Sequence, residues 1–281
     1  MSQLEVVLFG LALAGYSVGT ISYLVYLGAK NQLAAKIGIW SLVAGWLVHL
    51  ASIALRWSQV GHVPLTNQFE FLSFLARTTV AIYLFTEIQT RQKIIGAFAV
   101  PLVWIIMGVA WLNQEKATSG ATVPAILQSP WFVVHVTVAV VSFAAFALAF
   151  SLALIYLMQE RHLKTKSTNR ILKRLPALQD IDNISYRAVV LGFSLLTITL
   201  ISGMIWAQQV FGSFWKWDPK ITAALATWII FGAYLHARLT AGWQGRRSAL
   251  IATVGFAAVL ITFGVSYFAG PHIESFIRSG G

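Results

Sequence analysis

The chain has 281 residues, 58% of them hydrophobic and 10% charged, with a mean hydropathy of +0.73. A water-soluble domain carries about a quarter charged residues, so this composition excludes one and points to lipid. The net charge of +11 raises nucleic acid as a partner, and the absence of cysteine excludes disulfides, thiolate metal sites and self-attachment of a c-type haem.

Taken in chain order, eight apolar segments are long enough to span a bilayer: 5–28, 37–57, 68–88, 94–112, 132–158, 187–210, 222–240 and 249–268. The first, within MSQLEVVLFGLALAGYSVGTISYLVYLG, has no basic n-region and no small-residue cleavage pattern, and reads as a retained span. Its Gly10, Gly15 and Gly19 read as helix-packing positions. The third is interrupted by Glu70, Arg77 and Glu87, and the fifth is long enough to run past the lipid. The expected fold is all-α: a polytopic membrane protein of about eight transmembrane helices, one domain over residues 1–281, with no internal repeat.

Basic residues set the orientation. With the N-terminus outside, the inner segments hold Lys30, Lys36, Arg91, Lys93, the 161–174 run RHLKTKSTNRILKR, Arg187, Arg238, Arg246 and Arg247. The outer segments hold only Arg56, Lys116, Lys216, Lys220 and Arg278. The positive charge is therefore mostly a topology signal, and no nucleic-acid partner is expected. The basic run 161–174 reads as a plain solvated loop, with nucleic acid or anionic lipid as the alternative contacts. Both termini and the loop FGSFWKWDPK at 211–220 fall outside, which in a bacterium is the outer face of the cytoplasmic membrane.

Five of the six histidines are placed suggestively. His62 lies in the outer loop 58–67, His135 begins the fifth span, His272 follows the eighth, and His49 and His236 lie within spans two and seven; His162 reads as a surface residue of the basic loop. An intramembrane histidine is costly without a partner, and imidazole is a common axial ligand of haem iron. Two outer histidines flank an aromatic loop in sequence, which suits a flat apolar macrocycle with two axial iron positions. Zinc wants three or four clustered ligands, and the outer carboxylates Glu115, Asp218 and Glu274 are too few for a hard-cation cage. An interfacial aromatic belt is the plainer account of the loop taken alone.

The loop resembles the tryptophan-rich "WWD" signature of the cytochrome c assembly family, supplying Gly212, Trp215, Trp217, Asp218, Pro219 and Lys220 at the family spacing. It departs at Phe211, where tryptophan is usual, and at Ile221, where glutamate is usual. LRWSQVGHVPLTNQFEFLSF at 55–74 resembles the Arg-Trp…Gly-His-x-Pro-Leu-Ser-Asn-x-x-Glu-Ser segment of the CcsA/ResC branch, and ATWIIFGAYLHARL at 226–239 resembles its next span, ending in His-x-Arg. The closing GPHIESF differs from the usual Gly-x-His-Ser-Tyr.

The resemblance implies a haem lyase, or holocytochrome c synthase, component of cytochrome c biogenesis (system II). It would carry haem b to the outer face and present it for thioether attachment to apocytochrome c. The implied partners are a CcsB/ResB-type membrane protein, apocytochrome c and thiol-reducing proteins. His135 and His272 match the two ligands of an outer haem. His236 matches a ligand of haem in the membrane, with His49 or a residue of the partner chain opposite it. The loop 207–221, with Gly212, Phe214, Trp215, Trp217 and Asp218, would lie against the macrocycle, its Asp-Pro making a sharp turn and Lys216 and Lys220 available to the propionates. The alternatives are a CcmC-type haem exporter, a small-solute transporter with broken helices, and an electron-transfer subunit pairing His49 with His236.

Overall fold

The computed structural model describes residues 2–114, 124–165, 175–215 and 217–268. Eight helices long and apolar enough to cross a membrane occupy them. They are α1 (Gln3–Ala29), α2 (Gln32–Val60), α3 (Gln68–Thr90), α4 (Gly96–Leu112), α5 (Pro130–Lys164), α6 (Leu178–Phe211), α7 (Pro219–Thr240) and α8 (Arg246–Phe268). One 3₁₀ turn precedes α4 at Lys93–Ile95 and another precedes α5 at Ala125–Gln128.

Local chemistry sets the ends. Ser2, Asn31, Asn67 and Asp218 each accept a backbone N–H of the helix that follows, relieving donors that have no partner inside the helix. Gly61 and Gly212 close α2 and α6 in the left-handed region at φ 74° and 68°, where a Cβ would be strained. Helix α6 begins at Leu178, nine residues before the apolar stretch that marks it in sequence. Its added turns are amphipathic, and Asp182 there is buried against Arg238.

Lipid tails are as apolar as the side chains, so close packing has to hold the helices together. Small residues allow it. A Cβ on Gly15 would stand 2.9 Å from the Gly45 Cα, and one on Gly19 would stand 2.8 Å from Leu42, so α1 and α2 touch almost backbone to backbone. Gly10 has open space instead and takes no part. Helix α5 is the hub, packed on α3, α4, α6 and α8, and its SFAAFALAFSLA stretch is almost wholly buried. Phe146 on α5 stacks on Phe231 of α7 at 3.7 Å, over the bare Cα of Gly192. Helices α2 and α7 lie at the periphery.

Three buried polar clusters tie the ends. At the end carrying the α1 N-terminus, Arg56 donates to Glu70 Oε1 from Nε and Nη2 at 3.0 and 2.9 Å. The Thr66 N–H and hydroxyl take the other Glu70 oxygen at 2.9 and 3.0 Å, and Glu5 lies 3.7 Å from Arg56. At the opposite, basic end, Arg238 grips Asp182 through both terminal nitrogens at 3.1 and 2.7 Å, and the Gly245 N–H adds to Asp182 at 3.0 Å. Also there, Glu87 accepts from Tyr23 at 2.6 Å and from Tyr83.

Candidate functional site

The loop end of the α5–α6 hairpin gathers the aromatic residues. Trp206 on α6 packs on Phe132 of α5 at 5.5 Å and on Phe211 at 5.7 Å, and its indole N–H donates to the Ile126 carbonyl at 3.2 Å. Gly212 then ends α6 and the chain turns over this floor. Trp215 and Trp217 meet edge-on at 5.4 Å, and Ser213 Oγ donates to the Trp215 carbonyl at 2.9 Å. Trp217 is 74% exposed and Phe214 is 56% exposed, so the loop offers uncovered aromatic faces.

The Asp-Pro of the loop does not make the sharp turn expected of it; it starts α7. Asp218 is the N-cap, accepting the Lys220 N–H at 2.8 Å, and Pro219 occupies the first helical position, where a missing N–H is harmless. Lys220 is thereby drawn into the helix and is 8% exposed, not presented outward as the sequence suggested. Lys216 and His272 lie outside the described residues.

His135 sits one helical turn beneath the Phe132–Trp206 pair. Its Nδ1 lies 2.8 Å from the Thr199 carbonyl. A carbonyl only accepts, so Nδ1 carries the proton and the Nε2 lone pair remains for a metal. A metal-binding histidine is typically held this way, its second nitrogen donating to a backbone carbonyl. Opposite the ring, Gly203 leaves the room it needs: a Cβ there would stand 2.8 Å from both Cε1 and Nδ1. A half-buried imidazole with a fixed tautomer, at the same end as the exposed rings of Phe214 and Trp217, is a donor set suited to haem iron.

The other histidines differ from one another. His49 is 0% exposed, with Nε2 2.7 Å from Ser73 Oγ and Nδ1 3.2 Å from the Tyr16 hydroxyl, so either nitrogen must release a partner before it binds iron. His236 is exposed on α7, one turn from its basic end. His49 is enclosed by Phe9, Tyr16 and Ser73, and the structure does not bring it to His236. His162 is buried at 5% exposure, contrary to the surface position expected, because α5 continues as helix to Lys164. His62 is half-buried and donates to the Val63 carbonyl at 3.1 Å. Among the described residues, no three of His, Cys, Asp or Glu cluster as a metal site.

Sequence reasoning missed the seat of His135: Thr199, Ser202 and Gly203. The available signal was a polar-small-Gly trio at helical spacing inside an apolar span. It also left the 55–74 segment without a mechanism. Arg56, Thr66 and Glu70 of that segment are a structural lock on the loop ends of α2 and α3.

Residues 65–272 match the cytochrome c assembly protein family. The chain is 32% identical to the cytochrome c biogenesis protein CcsA of Trieres chinensis, over 95% of this chain and 94% of that one. It is 35% identical to the protein of that name from Porphyra purpurea, over 88% and 87% of the two chains. With that of Synechococcus sp. it shares 33% identity over 88% and 87%. A solved structure of the cytochrome c haem lyase CcmF superposes with a TM-score of 0.65 at 17% identity, over 92% of this chain and 46% of that one, a likeness of fold. The chain belongs to the cytochrome c assembly protein family, and its role lies in cytochrome c biogenesis.

Proposed function

We propose that the chain is the membrane-embedded haem-presenting component of a holocytochrome c synthase. It would act with a CcsB/ResB-type partner in a bacterial cytoplasmic membrane, its aromatic loop on the outer face. The observation that carries this reading is His135, its Nδ1–H fixed on the Thr199 carbonyl and its Nε2 lone pair left for iron beside the aromatic loop. His272 is the proposed second axial ligand of that haem b. His236, exposed on α7, is the proposed ligand for haem within the membrane, with a residue of the partner chain opposite, because His49 is enclosed elsewhere. The basic residues at the far end of the bundle support the orientation.

The chemistry that haem supplies is its two vinyl groups: each apocytochrome cysteine adds across one, sulfur bonding to one vinyl carbon and the proton going to the other. This chain's part is orientation and proximity. His135 would hold the iron, and Phe214, Trp215 and Trp217 would cover apolar surface of the macrocycle that otherwise faces water. Gly212 and Asp218 hold the two ends of that loop.

The test is maturation of a reporter apocytochrome c in cells depending on this chain and its partner. His135→Ala is expected to reduce covalently haem-stained cytochrome at least tenfold, and added imidazole to restore part of it by filling the vacant axial position. Wild-type maturation by His135→Ala would overturn the ligand assignment.

A further inference from the structure

Arg77 is an intramembrane cation with no counter-charge among the described residues. It lies nine residues into α3, ~13 Å from the loop end of that helix, near the middle of a hydrocarbon layer about 30 Å thick. Its Nε is buried with no hydrogen-bond partner, and its guanidinium carbon lies 4.3 Å over the Phe74 ring. The residue as a whole is half-buried, so the group lies at the margin of the bundle and is not sealed inside it.

Every described carboxylate is committed elsewhere. Glu70, two turns toward the loop end, is held by Arg56 and Thr66, and Glu5 lies beside Arg56. Glu87, ~15 Å toward the basic end, is held by Tyr23 and Tyr83. Asp182 grips Arg238, Glu160 faces Lys164 and Arg246, Asp218 caps α7, and Asp180 is exposed at the basic end.

The surroundings narrow what fits. Arg77 lies on the α2–α3 seam, where polar contacts recur down the helices: Arg56 to Glu70, His49 to Ser73, and the Trp46 indole N–H to the Arg77 carbonyl at 3.1 Å. Arg77 is one turn below Ser73 on α3, its guanidinium over the face of Phe74 and its carbonyl held by Trp46. A ligand for this place must be apolar enough to enter the bilayer and must carry an anion that matches a planar fork of N–H donors. Haem has both properties.

We infer that Arg77 binds a propionate of haem within the membrane, at the α2–α3 seam. The inference rests on the reading that the chain handles haem and adds a binding residue to it. An intramembrane charge is tolerated where a ligand or path requires it, and a carboxylate on the guanidinium would supply its missing counter-charge.

The test uses the full chain in lipid nanodiscs, in a His135→Ala background that removes the outer ligand. Haem and haem dimethyl ester, which keeps the macrocycle but has no carboxylates, are titrated and followed by Soret absorbance. The chain with Arg77 is expected to bind haem about 10- to 100-fold more tightly than the ester. Arg77→Leu is expected to lose that preference while keeping its affinity for the ester, and Arg77→Lys to keep part of it. Equal affinity for the two ligands, or a preference that survives in Arg77→Leu, overturns the assignment. Loss of partner association in Arg77→Leu, without haem discrimination, gives the carboxylate to a partner helix and likewise overturns it. No Soret binding in the His135→Ala background also overturns it, and leaves the His135 reading intact.

Discussion

At the scale of single residues, the site depends on how His135 is held. Thr199 offers its carbonyl to the imidazole at 2.8 Å and to Ser202 Oγ at 3.1 Å, and Gly203 keeps the facing wall flat. Gly203→Ala puts a methyl group 2.8 Å from the ring, closer than side-chain carbons pack, so the ring must shift off the carbonyl. It is expected to lower haem affinity about tenfold, a loss of about 1.4 kcal/mol, while leaving the helical circular dichroism unchanged. Soret titration of the purified variant measures it, and unchanged affinity would show that the seat is not needed. His135 is legible as a candidate because it and His272 flank the aromatic loop in sequence and match the outer histidines of the family. Its acceptor was not legible, since Thr199 lies 64 residues on and meets it only when α5 packs on α6. The burial of His49 was equally hidden: whether a span histidine faces protein or lipid depends on neighbours that an almost uniformly apolar helix does not announce.

At the scale of elements, all eight helices were legible because twenty apolar residues in lipid have to satisfy their own backbone. Their ends were less so. Hydropathy placed the start of α6 at 187, but the helix starts at Leu178, its extra turns held by the Asp182–Arg238 pair instead of by apolarity. Asp-Pro in sequence suggests a turn, and the structure makes it an N-cap and first helical residue. The distinction has a consequence. Asp218→Ala removes the cap of α7 and is expected to cost about 1 kcal/mol, whereas Asp218→Ser is expected to cost less than half of that, because serine also caps. Thermal denaturation in detergent compares the two. Equal losses would mean that Asp218 acts through its charge and not as a cap.

At the scale of the whole molecule, α5 is the axis on which the two ends are assembled, and buried ion pairs brace each end. Arg238 and Asp182 are 7% and 5% exposed in their side chains. Arg238→Ala strands a carboxylate and is expected to destabilise the chain by about 3 kcal/mol or more, while Arg238→Met with Asp182→Leu together is expected to be milder. Thermal midpoints in detergent decide this, and a double variant worse than Arg238→Ala would contradict it. The His-x-Arg motif thus serves two purposes: Arg238 braces three helices while His236, two residues earlier, stays exposed.

The proposed function stands on a haem held at the loop end through His135. Its most direct test is the optical absorption spectrum of the purified full chain, oxidised and then dithionite-reduced, with His135→Ala beside it. The account predicts a Soret band with the sharp reduced bands of a low-spin, bis-histidine b-type haem, diminished in His135→Ala and regained with imidazole. The absence of a Soret band, even after co-expression with the partner and supply of haem, or an identical spectrum from His135→Ala, would contradict it.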